Sequence, residues 1–384
     1  MLAASARSRV PLAVVAREWT RIGVTGFGGP PAHVALLRGL MVDRRGWMTA
    51  AEFQDANAAC SLLPGPASTQ MAMFCAYRVA GTPGVLVGGL GFIAPAVILV
   101  IALSLLFLGH SPPLWVRGAG AGAGAAVAAV AVHAGRGFLA PSLARAGTGR
   151  VRRLRWLVYL TAGLVAAVLV GPYLVLVLLA CGALEVSVSG GGGLSAMGLL
   201  IPGSTASGGL GALAWTALKV GALSFGGGFV IIPLMQGDAV HVHHWMTNAQ
   251  FLNAVALGQV TPGPVVATVA AVGYAAHGLA GALLAAAVAF APSFSFILIG
   301  GPRFELLRTN QTAQAFLDGA GPAAIGAIFG AAILLAAALR GWQFALLALA
   351  AIVLLLARRG VVETLFGAGV IGVIVALAGG GLPH

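Results

Sequence analysis

Apolar runs of span length recur from one end of this chain to the other. Residues 84–109, GVLVGGLGFIAPAVILVIALSLLFLG, are the clearest. A hydrocarbon core about 30 Å thick takes about 20 apolar residues of helix to cross. Further apolar segments lie near 117–139, 156–170, 172–188, 279–300, 317–339, 342–357 and 364–380. What remains cannot make a water-facing surface: 8% of the 384 residues are charged, against about 25% in a soluble domain. The chain is therefore an integral membrane protein. An open sheet would leave backbone groups unpaired in lipid, so its fold is all-α. No hydrophilic stretch is long enough for a separate soluble domain.

The net charge is +12, from 21 basic and 9 acidic residues. Most basic residues sit in short loops and at span ends, where they set topology and meet anionic headgroups. Nucleic acid is not the expected partner. Cys60, Cys75 and Cys181 lie in apolar surroundings without a CxxC pair, as small packing residues do. His241, His243 and His244 are too weak a signal for a metal site. Phosphate-loop signatures are absent. No metal, cofactor or catalytic residue is expected. The first residues lack the apolar core and cleavage site of a removed signal peptide.

Self-comparison reveals a duplication. At a shift of 198, Arg21 falls on Lys219, Gly23 on Gly221, and Phe27-Gly28-Gly29 on Phe225-Gly226-Gly227. Trp47-Met48-Thr49 falls on Trp245-Met246-Thr247, Pro64-Gly65-Pro66 on Pro262-Gly263-Pro264, and Phe92 on Phe290, with no gap needed. The chain reads as a first module, 1–188, a Gly/Ser-rich linker, 189–209, and a second module, 210–384. Each module runs through FGG, an amphipathic stretch, a PGP-interrupted span and four more apolar segments, for about 12–13 transmembrane segments in all. Arg145, Arg150, Arg152, Arg153 and Arg155 place their loop, and with it the N-terminus, in the cytoplasm. The equivalent loop of module two holds only Arg340; its arginines cluster instead at Arg303 and Arg308, and at Arg358 and Arg359. That predicts an inverted repeat with a periplasmic C-terminus. Six crossings per inverted module require one more crossing between them. Either one pair of segments does not cross, or the linker crosses irregularly.

Proline lacks a backbone N–H and clashes with a continuing helix. In lipid the freed backbone groups survive only inside protein or beside a water-filled cavity. Matched breaks in two inverted modules are a transporter architecture, with half-helix N-termini facing anionic groups near the midplane. The breaks are flanked by Ser61, Ser68, Thr69 and Gln70 in one module and Gln259, Thr261 and Thr268 in the other. Consecutive glycines in GFGGPPAHV and SFGGGFVII expose N–H groups that bind anions; close helix packing is the alternative. Arg21, Lys219 and Arg78 are charge candidates, though the first two could snorkel and Arg78 could anchor a loop. His33 is a coupling candidate beside Pro30. GAGAGAGAA, residues 118–126, signals close helix packing.

GFGGPPAHVALL, LLPGPAST, YRVAGTPGVLVGGLGFIAPAVIL, LSFGGGFVIIPLM and WMTNAQFLNAVALGQVTPGPVVATVAAVGY together resemble the chromate ion transporter family in its long, two-module form. The resemblance implies efflux of chromate, a tetrahedral dianion like sulfate, across the bacterial inner membrane, conferring resistance. Protons or counter-transported sulfate would be the driving ion. It points to Phe27, Gly28, Gly29, Pro64, Gly65 and Pro66, and to Phe225, Gly226, Gly227, Pro262, Gly263 and Pro264, as substrate-binding. Gly228 stands where module one has Pro30, and Ile231 where it has His33, so the halves are unequal. Sulfate or another oxyanion on the same scaffold is one alternative; a membrane enzyme acting on a lipid phosphate is another, and a homodimer is left open.

Overall fold

A computed structural model describes residues 9–61, 63, 65–109, 112–189, 209–224, 228–300 and 310–382, with Pro172 as backbone only. All regular structure among these residues is helical. Four helices are long and apolar enough to cross a membrane: α4 (Ala67–Phe107), α5 (Leu114–Ala146), α11 (Thr268–Gly300, with the short turn Val265–Ala267 before it) and α12 (Gln311–Ala337). The linker expected at 189–209 lies outside the described residues apart from its two ends, as do Arg303 and Arg308.

Each module opens with two short antiparallel pairs. α1 (Leu12–Thr25) stops at Gly26, and the chain turns through Gly28 and Gly29 at φ 100° and 74°. L side chains are disfavoured there, which is why glycine holds both positions. Pro30 and Pro31 then start α2 (Pro30–Arg38), since a first-turn N–H has no helical partner to lose. α2 ends in a π-helical turn, Gly39–Arg44. Arg45 returns to Glu18 of α1 at 2.9 Å. Thr49 and Glu52 form a reciprocal capping box that starts α3 (Ala50–Cys60). Module two repeats this with α8 (Leu210–Leu223), α9 (Ile231–Gln236), the π turn Gly237–Val242 and α10 (Asn248–Val260). There Thr247 and Gln250 make the box. The duplicated W-M-T sequence is thus a helix start.

The PGP segments are hairpin tips, not interruptions within a crossing. Arg78, near the end of the first arm of α4, reaches Glu52 at the start of α3 at 3.2 Å. Cys60 Sγ lies 3.9 Å from Met71 Sδ. α3 and the first part of α4 therefore run antiparallel, with Ser61, Leu63, Gly65 and Pro66 at the tip. α4 then turns at Gly81 (φ 68°) and doubles back, Gly84 packing on the Ala76 carbonyl. In module two Gly258 packs on Thr268, the turn falls at Gly278 (φ 59°), and Gly281 packs on the Gly273 carbonyl. A pair of segments that does not cross is the first of the two alternatives the span count left open.

The gapless 198-residue correspondence needs a correction beyond the tips. Gly81 matches Gly278, the packing of Gly84 on the Ala76 carbonyl matches that of Gly281 on the Gly273 carbonyl, and Ala96 against Gly263 matches Ser293 against Gly65, so that Gly81, Gly84 and Ala96 each have counterparts at a shift of 197. The counterpart of Phe92 is Ala289, not Phe290. Module two begins its second arm with a 3-10 turn, Val265–Ala267. That turn rises about 2.0 Å per residue instead of about 1.5 Å, so fewer residues cover the same length.

The hairpins open toward opposite ends of the long helices. Residues 82–107 of α4 span about 39 Å from the mouth of the first pair, at Gly81, to the N-terminal end of α5. α10 enters beside that same end of α5, where Asn253 packs on Gly120 and Leu252 on Gly124. The remaining helices, α6 (Arg150–Leu169), α7 (Leu174–Val188), α13 (Gln343–Leu355) and α14 (Val361–Leu377), clasp the long ones. Gly118 and Gly122 of α5 meet Gly372 and Ala368 of α14 backbone to backbone, and Gly163 of α6 meets Ala323 of α12. Small residues bring these backbones close, as 118–126 predicts.

Candidate functional site: tip glycines packed between the modules

The tip glycine of each module packs against the other module. The Gly263 N–H donates to the Gly26 carbonyl at 3.0 Å. Gly263 also lies against Gly23 and Ala96, and Gly65 against the carbonyl of Gly221 and the hydroxyl of Ser293. Gly65 and Gly263 both have positive φ, 114° and 97°. A Cβ at Gly65 would come 2.8 Å from Gln70 Nε2 and 3.2 Å from the Gly221 oxygen. Both positions thus require glycine twice over, for backbone angle and for space.

His33 ties module one's breaks together. It is fully buried, with Nε2 2.9 Å from the Gly26 carbonyl and Nδ1 3.2 Å from Ser68 Oγ. The neutral ring with its proton on Nε2 satisfies both: it donates to Gly26 and accepts from the serine hydroxyl. Phe92 meets the ring edge-on at 5.0 Å. The Gly26 carbonyl consequently receives two donors, one from each module.

Buried polar atoms around the tips lack partners. Thr69 Oγ1, Ser224 Oγ and Ser293 Oγ belong to residues with no exposed surface, and Gln259 Nε2 is nearly as buried; none finds a hydrogen-bond partner among the described residues. An unsatisfied buried hydroxyl or amide costs about 1–3 kcal/mol. Their donors sit beside the N-terminal ends of α4 and α11, where unpaired backbone N–H groups and the helix dipole favour negative charge. Three hydroxyls, an amide and helix N-termini, with no carboxylate among them, are the chemistry that holds an oxyanion.

A model of the family described as chromate transporter matches residues 13–186 and again 211–379. The chain belongs to the chromate transporter family. A chromate transport protein of Cupriavidus metallidurans is 33% identical over 92% of this chain and 90% of its own length. One from Pseudomonas aeruginosa is 32% identical, covering 81% of this chain and 78% of itself. An uncharacterized transporter of Methanocaldococcus jannaschii is 24% identical over 76% of each. No solved structure matches. Family and apolar helices together make this a multi-pass membrane protein.

Of the residues the sequence singles out, Gly65, Thr69, Gln70, Gln259 and Gly263 lie at or next to the meeting point. Pro66 caps α4 and Pro264 caps the 3-10 turn. Pro262 is buried beside Gly263. Thr261 bonds back to the Gly258 carbonyl at 3.3 Å. Ser61 is exposed and bonds back to Asn57 at 2.8 Å, and Phe27 is half-exposed. Pro64, Phe225, Gly226 and Gly227 lie outside the described residues. Arg78 sits at the hairpin mouth with Glu52. Arg21 is half-exposed, 4.0 Å from Glu18. Lys219 forms a buried ion pair with Asp238, whose other contact is the Thr216 hydroxyl at 2.8 Å. Sequence reasoning missed Ser224 and Ser293. Ser293 had a readable signal: it directly follows Pro292, within a helix that matches the Pro95 region of module one.

Proposed function

We propose that this chain is a secondary transporter that exports chromate from a bacterial cytoplasm and so confers chromate resistance. The observation that carries the reading is the reciprocal packing of Gly65 and Gly263 on the opposite modules, together with the unpaired donors of Thr69, Ser224, Ser293 and Gln259. Chromate offers four oxygens in a tetrahedron, and hydroxyls of Thr69, Ser224 and Ser293 with the Gln259 amide would satisfy them. Helix N-termini would supply the remaining electrostatics. Lys219 already meets Asp238 and Arg21 lies beside Glu18, so in this reading neutral donors and dipoles hold the dianion.

The two modules form an inverted repeat in this reading, with the N-terminus cytoplasmic and the C-terminus periplasmic. The hairpins that open to opposite ends support it. Alternating access then amounts to separating one pair of tips while the other stays closed. The bond from Gly263 to the Gly26 carbonyl is the contact that would break.

A site that reads tetrahedral oxygens does not distinguish chromium from sulfur, so sulfate transport on the same scaffold is the second reading. Inside-out vesicles separate the two. Chromate export predicts uptake of radiolabelled chromate that a proton gradient accelerates, with a higher kcat/KM than radiolabelled sulfate. A higher kcat/KM for sulfate would assign sulfate instead. Absence of uptake of either anion would sink the proposal.

A further inference from the structure

A polar cavity lies away from the tips. A cavity of about 700 Å³ opens between the π turn of module two, the start of α10 and the end of α12. Its polar wall is Gln236, His241, His244, Asn248, Gln250 and Arg340. No carboxylate lines it among the described residues. Module one is different at the matching positions: Asp43 stands for His241 and Glu52 for Gln250, at the shift of 198. Module one also carries Arg38, Arg44 and Arg45 where module two has Gln236, Val242 and His243, so the second mouth differs from the first in lacking acids, not in holding more cations.

The local backbone holds these groups in place. His243 donates to the Asp238 carbonyl at 2.9 Å and Trp245 to Ala239 at 2.8 Å, closing the π turn. His243 stacks on Trp245 at 4.6 Å. His244, caught between them, takes φ 52°, a left-handed conformation uncommon for a residue with a Cβ. Strain of this kind costs about 1–3 kcal/mol and clusters at ligand-handling sites. Across the cavity, Gln343 Oε1 accepts the backbone N–H of Arg340 at 3.0 Å, and the Arg340 side chain is exposed. From the cavity wall at Asn248, α10 leads inward for 13 residues, about 20 Å, to Gln259 and Thr261 at the tip.

We propose that this cavity is the oxyanion mouth of the second module. Arg340 supplies its fixed charge, and His241 and His244 supply N–H donors that pass the dianion between solvent and the tips. The inference rests on the transport reading above and adds an asymmetry: an acid-free mouth at one face only. A positive charge that no neighbouring acid offsets raises the local concentration of the opposite ion at a cleft mouth.

The test is KM for radiolabelled chromate measured separately in inside-out and right-side-out vesicles. The variants are Arg340→Glu and the double change His241→Gln with His244→Asn. Asparagine tolerates the left-handed backbone at 244, which keeps the turn intact. The expected result is a KM raised about tenfold for Arg340→Glu at the face that bears residues 241–250, with kcat from that face raised in step because the equilibrium ties kcat/KM in the two directions, less for the double variant, and with the opposite face unchanged. Raised salt should shrink the difference. A KM unchanged at both faces, or raised equally at both, overturns the mouth while leaving the transport reading standing. If wild-type vesicles carry sulfate or molybdate but no chromate, the same one-faced shift is read with that anion. If they move no oxyanion, both the mouth and the transport reading fail.

Discussion

Replacing Gly65 by alanine probes the meeting of the tips directly. The new Cβ would sit at φ 114°, 2.8 Å from Gln70 Nε2, 3.2 Å from the Gly221 carbonyl and 3.4 Å from Ser293 Oγ. The backbone conformation alone costs about 1–3 kcal/mol, and the overpacking adds about 1–3 kcal/mol. Gly147 is the control. It has φ 72° with nothing within 4 Å of where its Cβ would go, so Gly147→Ala carries the backbone cost without the contact. The difference between the variants is then the contact itself, about 1–3 kcal/mol, which is about 5- to 150-fold in a rate. Initial chromate flux, normalised to protein in the membrane, should fall by that factor in Gly65→Ala relative to Gly147→Ala. Equal flux in both would refute the claim that the tip contact belongs to the transport site.

Lys219→Met and Asp238→Asn should each lower thermal stability in detergent, because each strands one charge of a buried pair at a cost of about 3–5 kcal/mol. The double variant should recover most of that loss; a double variant as unstable as the worse single would argue that the pair is not the interaction being lost. His33→Ala should reduce both stability and chromate flux. It leaves the Ser68 hydroxyl without its partner and strips one donor from Gly26, worth about 1–3 kcal/mol; wild-type values for both quantities would rule out its linking role.

Membrane class, all-helical fold and duplication were legible because they rest on composition and on repeated residues. FGG and W-M-T were legible as motifs, but their meaning needed neighbours: Thr49 and Thr247 are helix caps, which sequence spacing permits but does not require. The PGP segments misled as interrupted spans. A proline pair ends a helix whether the chain continues onward or folds back, and only Glu52 against Arg78 and Cys60 against Met71 distinguish the two. The single-residue offset between Phe92 and Ala289 was hidden by a chance phenylalanine at 290. Charges were overweighted: an intramembrane cation invites a role, yet the partner of Lys219, Asp238, comes from a different segment 19 residues on. Ser224 and Ser293 were missed because an unpaired hydroxyl is a property of packing, not of spacing.

Equilibrium binding of radiolabelled chromate to the purified protein, at fixed ionic strength, puts the central claim to its sharpest test with Ser293→Ala and Thr69→Ala. Neither hydroxyl has a partner among the described residues, so removing it should leave thermal stability unchanged or slightly raised. A hydrogen bond to a charged group is worth about 1.5–3 kcal/mol, so each variant should bind chromate about 10- to 150-fold more weakly. Wild-type affinity in both variants would contradict the account, because the dianion would then be held somewhere other than among these donors.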